Sequence, residues 1–329
     1  MSKLWAVVLA AGEGKRMRSR LPKVIHPICG RPMLNYILES AAELTGNILI
    51  VVGHGASQVI ETTNDNWQYV HQENQLGTGH AVMETLGELP REGTLLVLCG
   101  DTPLLESVHL KKLLDSQGTN AAAVATTVLQ NPYGYGRVVR DGNGLVEKVV
   151  EDKDAALAEK EIREINTGTY CFDLNLLRRY LPHLNTDNVQ KEYYLPEVLN
   201  MFYKDNLGVG AYCIDDYRVG LGINNRVQLA EATSLVRVRI NAKLMVDGVT
   251  LIDPATVYID RDVLVGPDTI IGPNCVIEGK TTIGECCHIG PGTHLENATI
   301  KDRAVVEHSV IRNRVVQAGS RTGPYAYLD

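Results

Sequence analysis

The stretch Trp5-Ala-Val-Val-Leu9-Ala10-Ala11-Gly12-Glu-Gly14-Lys-Arg16-Met17, followed by Leu21-Pro22-Lys23, reads as a strand running into an anion-binding turn. The run from Trp5 to Ala10 is short, apolar and bounded by glycine, which is the pattern of a buried parallel strand. Gly12 and Gly14 allow a sharp bend and a close backbone approach to a ligand. Backbone N–H groups in such a turn form a concavity for anions. Arg16 adds a forked donor and Lys23 a compact point charge. Two familiar phosphate loops are excluded by spelling. A dinucleotide fingerprint needs a third glycine where Met17 stands, and a Walker loop needs Ser or Thr where Arg16 follows Gly14-Lys15.

Outward from this stretch, strand and helix patterns alternate up to about residue 225. Ile48–Val52 ends at Gly53, Thr94–Cys99 ends at Gly100-Asp101, and Ala121–Leu129 is a further candidate strand. Helical patterns cover Met33–Leu44 and Gly79–Leu86. This alternation predicts an α/β, doubly wound, mostly parallel sheet with helices on both faces. Ligands bind such sheets beyond the carboxyl ends of the strands, so Gly12, Gly53 and Asp101 should meet at one crevice.

Composition narrows the classes. The chain has 329 residues and a net charge of −7, with no basic block, which argues against a nucleic-acid partner. No apolar run approaches a membrane span and the N-terminus carries no signal-peptide pattern. The 7 cysteines are odd in number and form no Cys-x-x-Cys pair. Free thiols in a reducing cytoplasm are the simplest reading, and neither a disulfide framework nor a zinc site is expected.

Three regions follow: residues 1–225 as the α/β domain, 226–248 as a linker helix and 249–329 as a repeat domain. In the helix, Leu229, Val236, Ile240 and Leu244 recur at helical spacing until Asp247-Gly248. After it, Val265, Ile271, Ile277, Ile283, Ile289 and Leu295 recur at a strict hexapeptide spacing. Small or β-branched residues precede them: Val263, Thr269, Cys275, Thr281, Cys287 and Thr293. That period marks a hexapeptide parallel β-helix in which three short strands make one coil. The register loosens after Leu295, through Ile300, Val306 and Ile311. Cys275 and Cys287 read as small packed residues, and His288, His294 and His308 as surface or turn residues.

Three positions carry chemistry. Asp101 closes an apolar strand in Gly100-Asp101-Thr-Pro103-Leu104, where a carboxylate can hold Mg²⁺ beside the phosphate loop or cap the next helix. Asn224, in Gly222-Ile-Asn224-Asn225-Arg226, precedes the long helix and could cap it. Gln72, in Gln72-Glu-Asn-Gln-Leu-Gly77-Thr78-Gly-His-Ala81, offers a donor and an acceptor on one planar group, matching one edge of uracil.

These motifs together resemble the sugar-1-phosphate nucleotidyltransferases, most closely the bacterial bifunctional enzymes that carry an N-acetylglucosamine-1-phosphate uridylyltransferase domain and an acetyltransferase domain. The signature is Leu-x-Ala-Gly-x-Gly-x-Arg-Met followed by Pro-Lys, with Gln-Leu-Gly-Thr-Gly-His-Ala and Asn-Asn-Arg downstream, and the likeness runs over nearly the whole chain. It implies a Rossmann-like nucleotide-diphospho-sugar transferase fold and a left-handed β-helix, here incomplete. The implied reaction joins UTP and N-acetylglucosamine-1-phosphate to give UDP-N-acetylglucosamine and pyrophosphate, with Mg²⁺ held by Asp101 and Asn224. Arg16 and Lys23 are the implied catalytic cations. Leu9, Ala10, Ala11, Gly12, Gln72, Gly77, Thr78 and Gly100 are the implied nucleotide contacts. Gly136, Glu151, Asn166 and Tyr194 are the implied sugar contacts. The family serves peptidoglycan and lipopolysaccharide synthesis in the cytoplasm and assembles as trimers through the β-helix. The chain stops where the relatives continue into further coils, and Gly323-Pro-Tyr-Ala-Tyr-Leu-Asp329 ends in Asp where they carry Arg, so a truncated repeat domain without acetyltransferase activity is expected. The alternatives are glucose- or mannose-1-phosphate nucleotidyltransferases using ATP or GTP.

Overall fold

The computed structural model describes residues 3–63 and 67–329. The chain forms two compact units. One comprises Met1–His26 and Pro32–Arg226, the other Pro27–Arg31 and Val227–Asp329.

The first unit is built on a sheet whose main path runs Val209–Ile214, Ala122–Val128, Glu164–Asp173, Thr94–Cys99, Leu4–Ala10, Ile48–Val52, Gln68–His71. The expected strands form, with Leu4–Ala10 in the middle and parallel to both neighbours. Along these strands successive side chains point to opposite faces. Val7, Leu49, Val51, Leu95 and Val97 therefore join one core with Phe172 and Phe202. Ala6, Val8, Ile50, Leu96 and Leu98 join a second with Leu34 and Ile37 of the Met33–Ala42 helix. Residues buried on both faces explain why the strands read as continuous apolar runs.

The sheet is mixed. Glu164–Asp173 pairs antiparallel with Thr94–Cys99 and Ala122–Val128. Its register shifts between Asn166 and Tyr170, a bulge beside the expected sugar motif. The hairpin Arg137–Arg140 with Val146–Val150 joins this strand through Ile165 and Arg137. The chain lays Ile48–Val52 and then Gln68–His71 on one side of Leu4–Ala10 and crosses to Thr94–Cys99 on the other. That reversal makes a topological switch point, and the crevice outside the strand ends there is where open α/β sheets bind ligands.

In the second unit the helix spans Arg226–Val246, with Val236 and Ile240 buried and Leu229 and Leu244 half-buried. It stops where Gly248 takes a positive φ, with Val249 N–H bonded back to Leu244 O at 3.0 Å. This is a glycine C-cap closure. Asn241 ties the helix to the first coil through Pro254 O, 2.9 Å, and Val257 O, 3.2 Å.

The coils that follow form three parallel sheets, the architecture of a left-handed β-helix, and begin at Thr250–Leu251, before the strict repeat. Inward residues stack face by face: Ile271, Ile289 and Val306; Ile277, Leu295 and Ile311; Ile283, Ile300 and Val316, all buried. Val265 departs from the expectation and is only half-buried. Thr269, Cys275, Thr281, Cys287 and Thr293 are also buried. Thr269 donates to Gly284 O at 2.8 Å and Cys275 to Gly290 O at 3.1 Å, so these small residues bond one coil to the next. The loosened spacing after Leu295 has a structural cause. The step from Val276 to its partner His294 is longer in sequence than the step from His294 to Val310, so the later coils turn tighter corners. Asn297, Arg303, His308 and Asn313 take positive φ at those corners. His288 and His308 are exposed, and His294 pairs with Glu278 at 2.7 Å.

Candidate active site

The Gly12 turn leaves the central strand at the switch point. Gly12 faces open space, while Gly14 adopts a left-handed backbone, φ 65°, and a Cβ there would lie 2.6 Å from Lys23 Cβ. Glycine is needed at position 14 on both counts: side chains disfavour that conformation, and the Lys23 stem fills the space. The short helical turn Lys15–Met17 is anchored by buried Met17. Arg226 donates to Met17 O at 3.3 Å and adds a brace. Arg16 is exposed, and its guanidinium bonds to no described residue. Pro22 starts the second short turn, Lys23–Ile25, whose Val24 and Ile25 are buried, so Lys23 projects from a fixed base.

Lys23 reaches the two expected metal ligands. Its ammonium is ion-paired with the Asp101 carboxylate and donates to Asn224 Oδ1 at 3.2 Å. Both charged side chains are about five-sixths buried, at 15% and 16% exposure. Asn224 Nδ2 donates to Gly222 O at 3.1 Å, which turns its oxygen toward the lysine. Ile223 N–H bonds Asp101 O at 2.9 Å and locks the two loops together. A Cβ on Gly222 would meet the Asp101 carboxylate at 2.9–3.1 Å, so the loop can pass there only as glycine. A carboxylate and an amide oxygen thus already share one cation. Hard oxygen donors converging in this way fit Mg²⁺, which takes few protein ligands and completes its shell with water and phosphate oxygens. Among the described residues, three His, Cys, Asp or Glu side chains come within metal-holding reach of one another only elsewhere, at Glu278, His294 and Glu296 of the β-helix.

The motif expected to bind the nucleotide base lies beyond the Gln68–His71 strand. Gln72 is buried and its N–H bonds Val52 O at 2.8 Å. Its side-chain nitrogen donates to Gly77 O at 3.2 Å and contacts His80 Nδ1 at 3.0 Å. Thr78 Oγ1 accepts from Leu195 N–H at 3.2 Å, and Gly79 N–H bonds Tyr193 O at 2.8 Å. Gly100 N–H bonds Leu9 O at 2.9 Å, holding the Asp101 turn against the central strand.

The motifs expected to bind the sugar assemble around Glu151. A Cβ on Gly136 would lie 3.3 Å from Glu151 Oε1, and Asn166 N–H bonds Gly136 O at 2.9 Å. Asn166 Oδ1 accepts from Gly168 N–H at 2.9 Å and its Nδ2 contacts Tyr170 OH at 2.7 Å. Tyr194 OH donates to Asp154 Oδ2 at 3.3 Å. Burial pushes the Glu151 carboxyl up, and the charges of Asp154, Glu192 and Asp152 push the same way against the weaker opposing effect of Arg137. Burial also raises Tyr194 to about 12. Cys99 lies between the two halves. Its thiol donates to Gly168 O at 3.3 Å and is pushed by burial and then by Asp101 to about 12, so it is an inert floor rather than a nucleophile.

Three contributors were not legible as such in the sequence: Gly222 under Asp101, His80 behind Gln72, and the carboxylates of Asp154 and Glu192 around Glu151. Gly222 and His80 stood inside motifs already singled out, but nothing in those motifs assigned them these contacts.

Comparison with known proteins supports a nucleotidyltransferase fold. Residues 6–164 match the MobA-like NTP transferase domain, and residues 254–326 match the GMPPB C-terminal domain. The chain is 45% identical to the bifunctional protein GlmU of Listeria monocytogenes serotype 4a over 332 residues, covering 100% of this chain and 73% of that protein. It is 47% identical to the Lactococcus lactis protein of the same name, over 98% of this chain and 72% of the relative. The Shouchella clausii counterpart is 44% identical over 100% of this chain. With a nucleotidyltransferase fold, a glycine-rich turn at the sheet's switch point and this identity along its length, the chain belongs to the GlmU family and is a nucleotidyltransferase.

Proposed function

We propose that the chain is a UDP-N-acetylglucosamine pyrophosphorylase, joining UTP and N-acetylglucosamine-1-phosphate with release of pyrophosphate. The convergence of Lys23, Asp101 and Asn224 on one point beside the Gly12 turn carries this reading. In this reading a lysine ammonium and two oxygen ligands stand where a triphosphate would meet a second phosphate. A sugar-phosphate oxygen attacks the α-phosphorus in line, the bond to the β-phosphate oxygen breaks, and pyrophosphate leaves with that electron pair. Such a transfer needs no protein nucleophile; positioning and charge stabilisation supply the rate.

Leu9, Ala10, Ala11, Gly12 and Gly100 line the triphosphate with backbone groups. Arg16, exposed on the turn, attends the departing pyrophosphate. Lys23 moves from the Asp101 carboxylate to the α-phosphate as charge grows there. Asp101 and Asn224 would hold Mg²⁺, which would supply Lewis-acid charge neutralisation to the reacting phosphates. Gln72, Gly77 and Thr78 receive the uracil. Gly136, Glu151, Asn166 and Tyr194 receive the amino sugar. Glu151 and its neighbouring carboxylates favour a neutral sugar over an acidic one. The product would feed cell-wall synthesis in the cytoplasm. No helix among the described residues is long and apolar enough to cross a membrane. The β-helix would associate side by side as a trimer.

The test is a matrix of UTP, CTP, ATP and GTP against N-acetylglucosamine-, glucose- and mannose-1-phosphate, with Mg²⁺ present and pyrophosphate release as readout. UTP with N-acetylglucosamine-1-phosphate is expected to turn over fastest. A preference for ATP or GTP with another sugar would replace this reading by that of the neighbouring nucleotidyltransferases.

A further inference from the structure

The hydrogen bonds around Gln72 determine which part of its amide can face a base. Gly77 O is a carbonyl and can only accept, so the Gln72 atom 3.2 Å from it is the amide nitrogen. The same nitrogen lies 3.0 Å from His80 Nδ1. An amide nitrogen only donates, so Nδ1 is the unprotonated, accepting nitrogen and the proton of the neutral ring sits on Nε2. His80 Nε2 lies 3.1 Å from Glu84 Oε1, a partner that only a protonated Nε2 can satisfy. Both hydrogens of the Gln72 amide are thereby used inside the protein. Among the described residues no hydrogen bond is made to its carbonyl oxygen, while both bonds of the amide run through the nitrogen. The amide therefore offers an incoming base an acceptor and no donor. Uracil carries an N–H on its pairing edge, whereas cytosine carries a lone pair at the same ring nitrogen.

We infer that His80, oriented by Glu84, is the positioning residue that makes the donor site selective for UTP over CTP. The inference rests on the uridylyl-transfer reading above. His80 does not touch the base. It fixes the amide's plane and takes up its second hydrogen, so that the carbonyl cannot exchange places with a donor. Its ring also stacks on Tyr193, with centroids 6.2 Å apart, which holds it in place.

The test compares UTP and CTP affinities by calorimetry with Mg²⁺ present, in the unaltered chain and three variants. The unaltered chain should prefer UTP. His80→Phe keeps the ring against Tyr193 but removes the acceptor, and should cut the UTP:CTP ratio by about ten-fold, the worth of one neutral hydrogen bond. His80→Asn puts an amide oxygen near the place of Nδ1 and should restore most of the ratio. Glu84→Leu, at a partly exposed carboxylate, releases the ring to carry its proton on Nδ1 and should lower the ratio several-fold. Thermal melting checks that each variant folds, and if His80→Phe does not, Glu84→Leu carries the test. An unchanged ratio in a folded His80→Phe or Glu84→Leu protein overturns the inference while leaving uridylyl transfer intact. Loss of the ratio in both His80→Phe and His80→Asn assigns the effect to ring shape and also overturns it. No UTP preference in the unaltered chain would remove the uracil reading and this inference together.

Discussion

The residues that act in the first unit come from loops far apart in the chain, whereas each residue of the β-helix takes its role from its place in a short repeat. Lys23, Asp101 and Asn224 meet only because the switch point gathers strand ends, and each depends on neighbours chosen for that one spot. Ile271, Ile289 and Val306 stack because the repeat brings them to the same face on successive turns. Substitutions should therefore break function in the first region and stability in the second.

The largest expected effect is at the shared cation point. Asp101→Ala removes the ion-pair partner of Lys23 and an expected metal ligand, and pyrophosphate release should fall by about 10²–10³-fold, with circular dichroism unchanged. Near-normal turnover would break the assignment. In the β-helix, Ile289→Ala deletes a fully buried side chain and should cost about 2–5 kcal/mol, read from denaturant unfolding of that unit. Turnover per folded molecule should hold, and a parallel loss of activity would show that the two regions are not separable.

A smaller effect sharpens the comparison within the site. Gly222→Ala places a methyl group against the Asp101 carboxylate and should lower kcat by about ten-fold through misplacement, with little change in melting temperature. The smallest effect concerns Glu151. Its carboxyl is held above its ordinary 4.5 by burial and neighbouring carboxylates, so the folded state keeps a proton that the unfolded chain has released. The stability this confers is present below 4.5 and is lost as pH rises through the raised value. Glu151→Gln cannot ionise, so it should melt a few degrees higher than the unaltered protein at neutral pH, the gain vanishing below 4.5. The KM for the sugar phosphate should rise. A melting difference that grows toward acid pH would reverse the sign and refute the cause.

Legibility differed between the two regions for the same reason. The hexapeptide period reports an inward position directly, because burial in a β-helix is local to one coil and the next. The period fell short where coils shorten after Leu295, since a tighter corner drops a residue without moving the inward stack. In the α/β unit the buried parallel strands were equally plain as apolar runs. The antiparallel Glu164–Asp173 strand was not, because a run direction leaves no trace in composition.

Among the site residues, the sequence alone determined the Gly12–Lys23 turn and the strand-end Asp101, because glycine, a basic pair and a carboxylate at the end of an apolar run have few other uses in that order. It did not determine that Lys23 bridges Asp101 and Asn224, that Gly222 must be bare beneath that carboxylate, or that His80 consumes the second hydrogen of Gln72. The first two are facts of distance between segments far apart in the chain, and the third depends on how the Gln72 loop folds onto the helix that follows it. A hydrogen bond's direction depends on what stands on its far side, and for these residues the far side is supplied by another loop or helical turn, brought there by the fold.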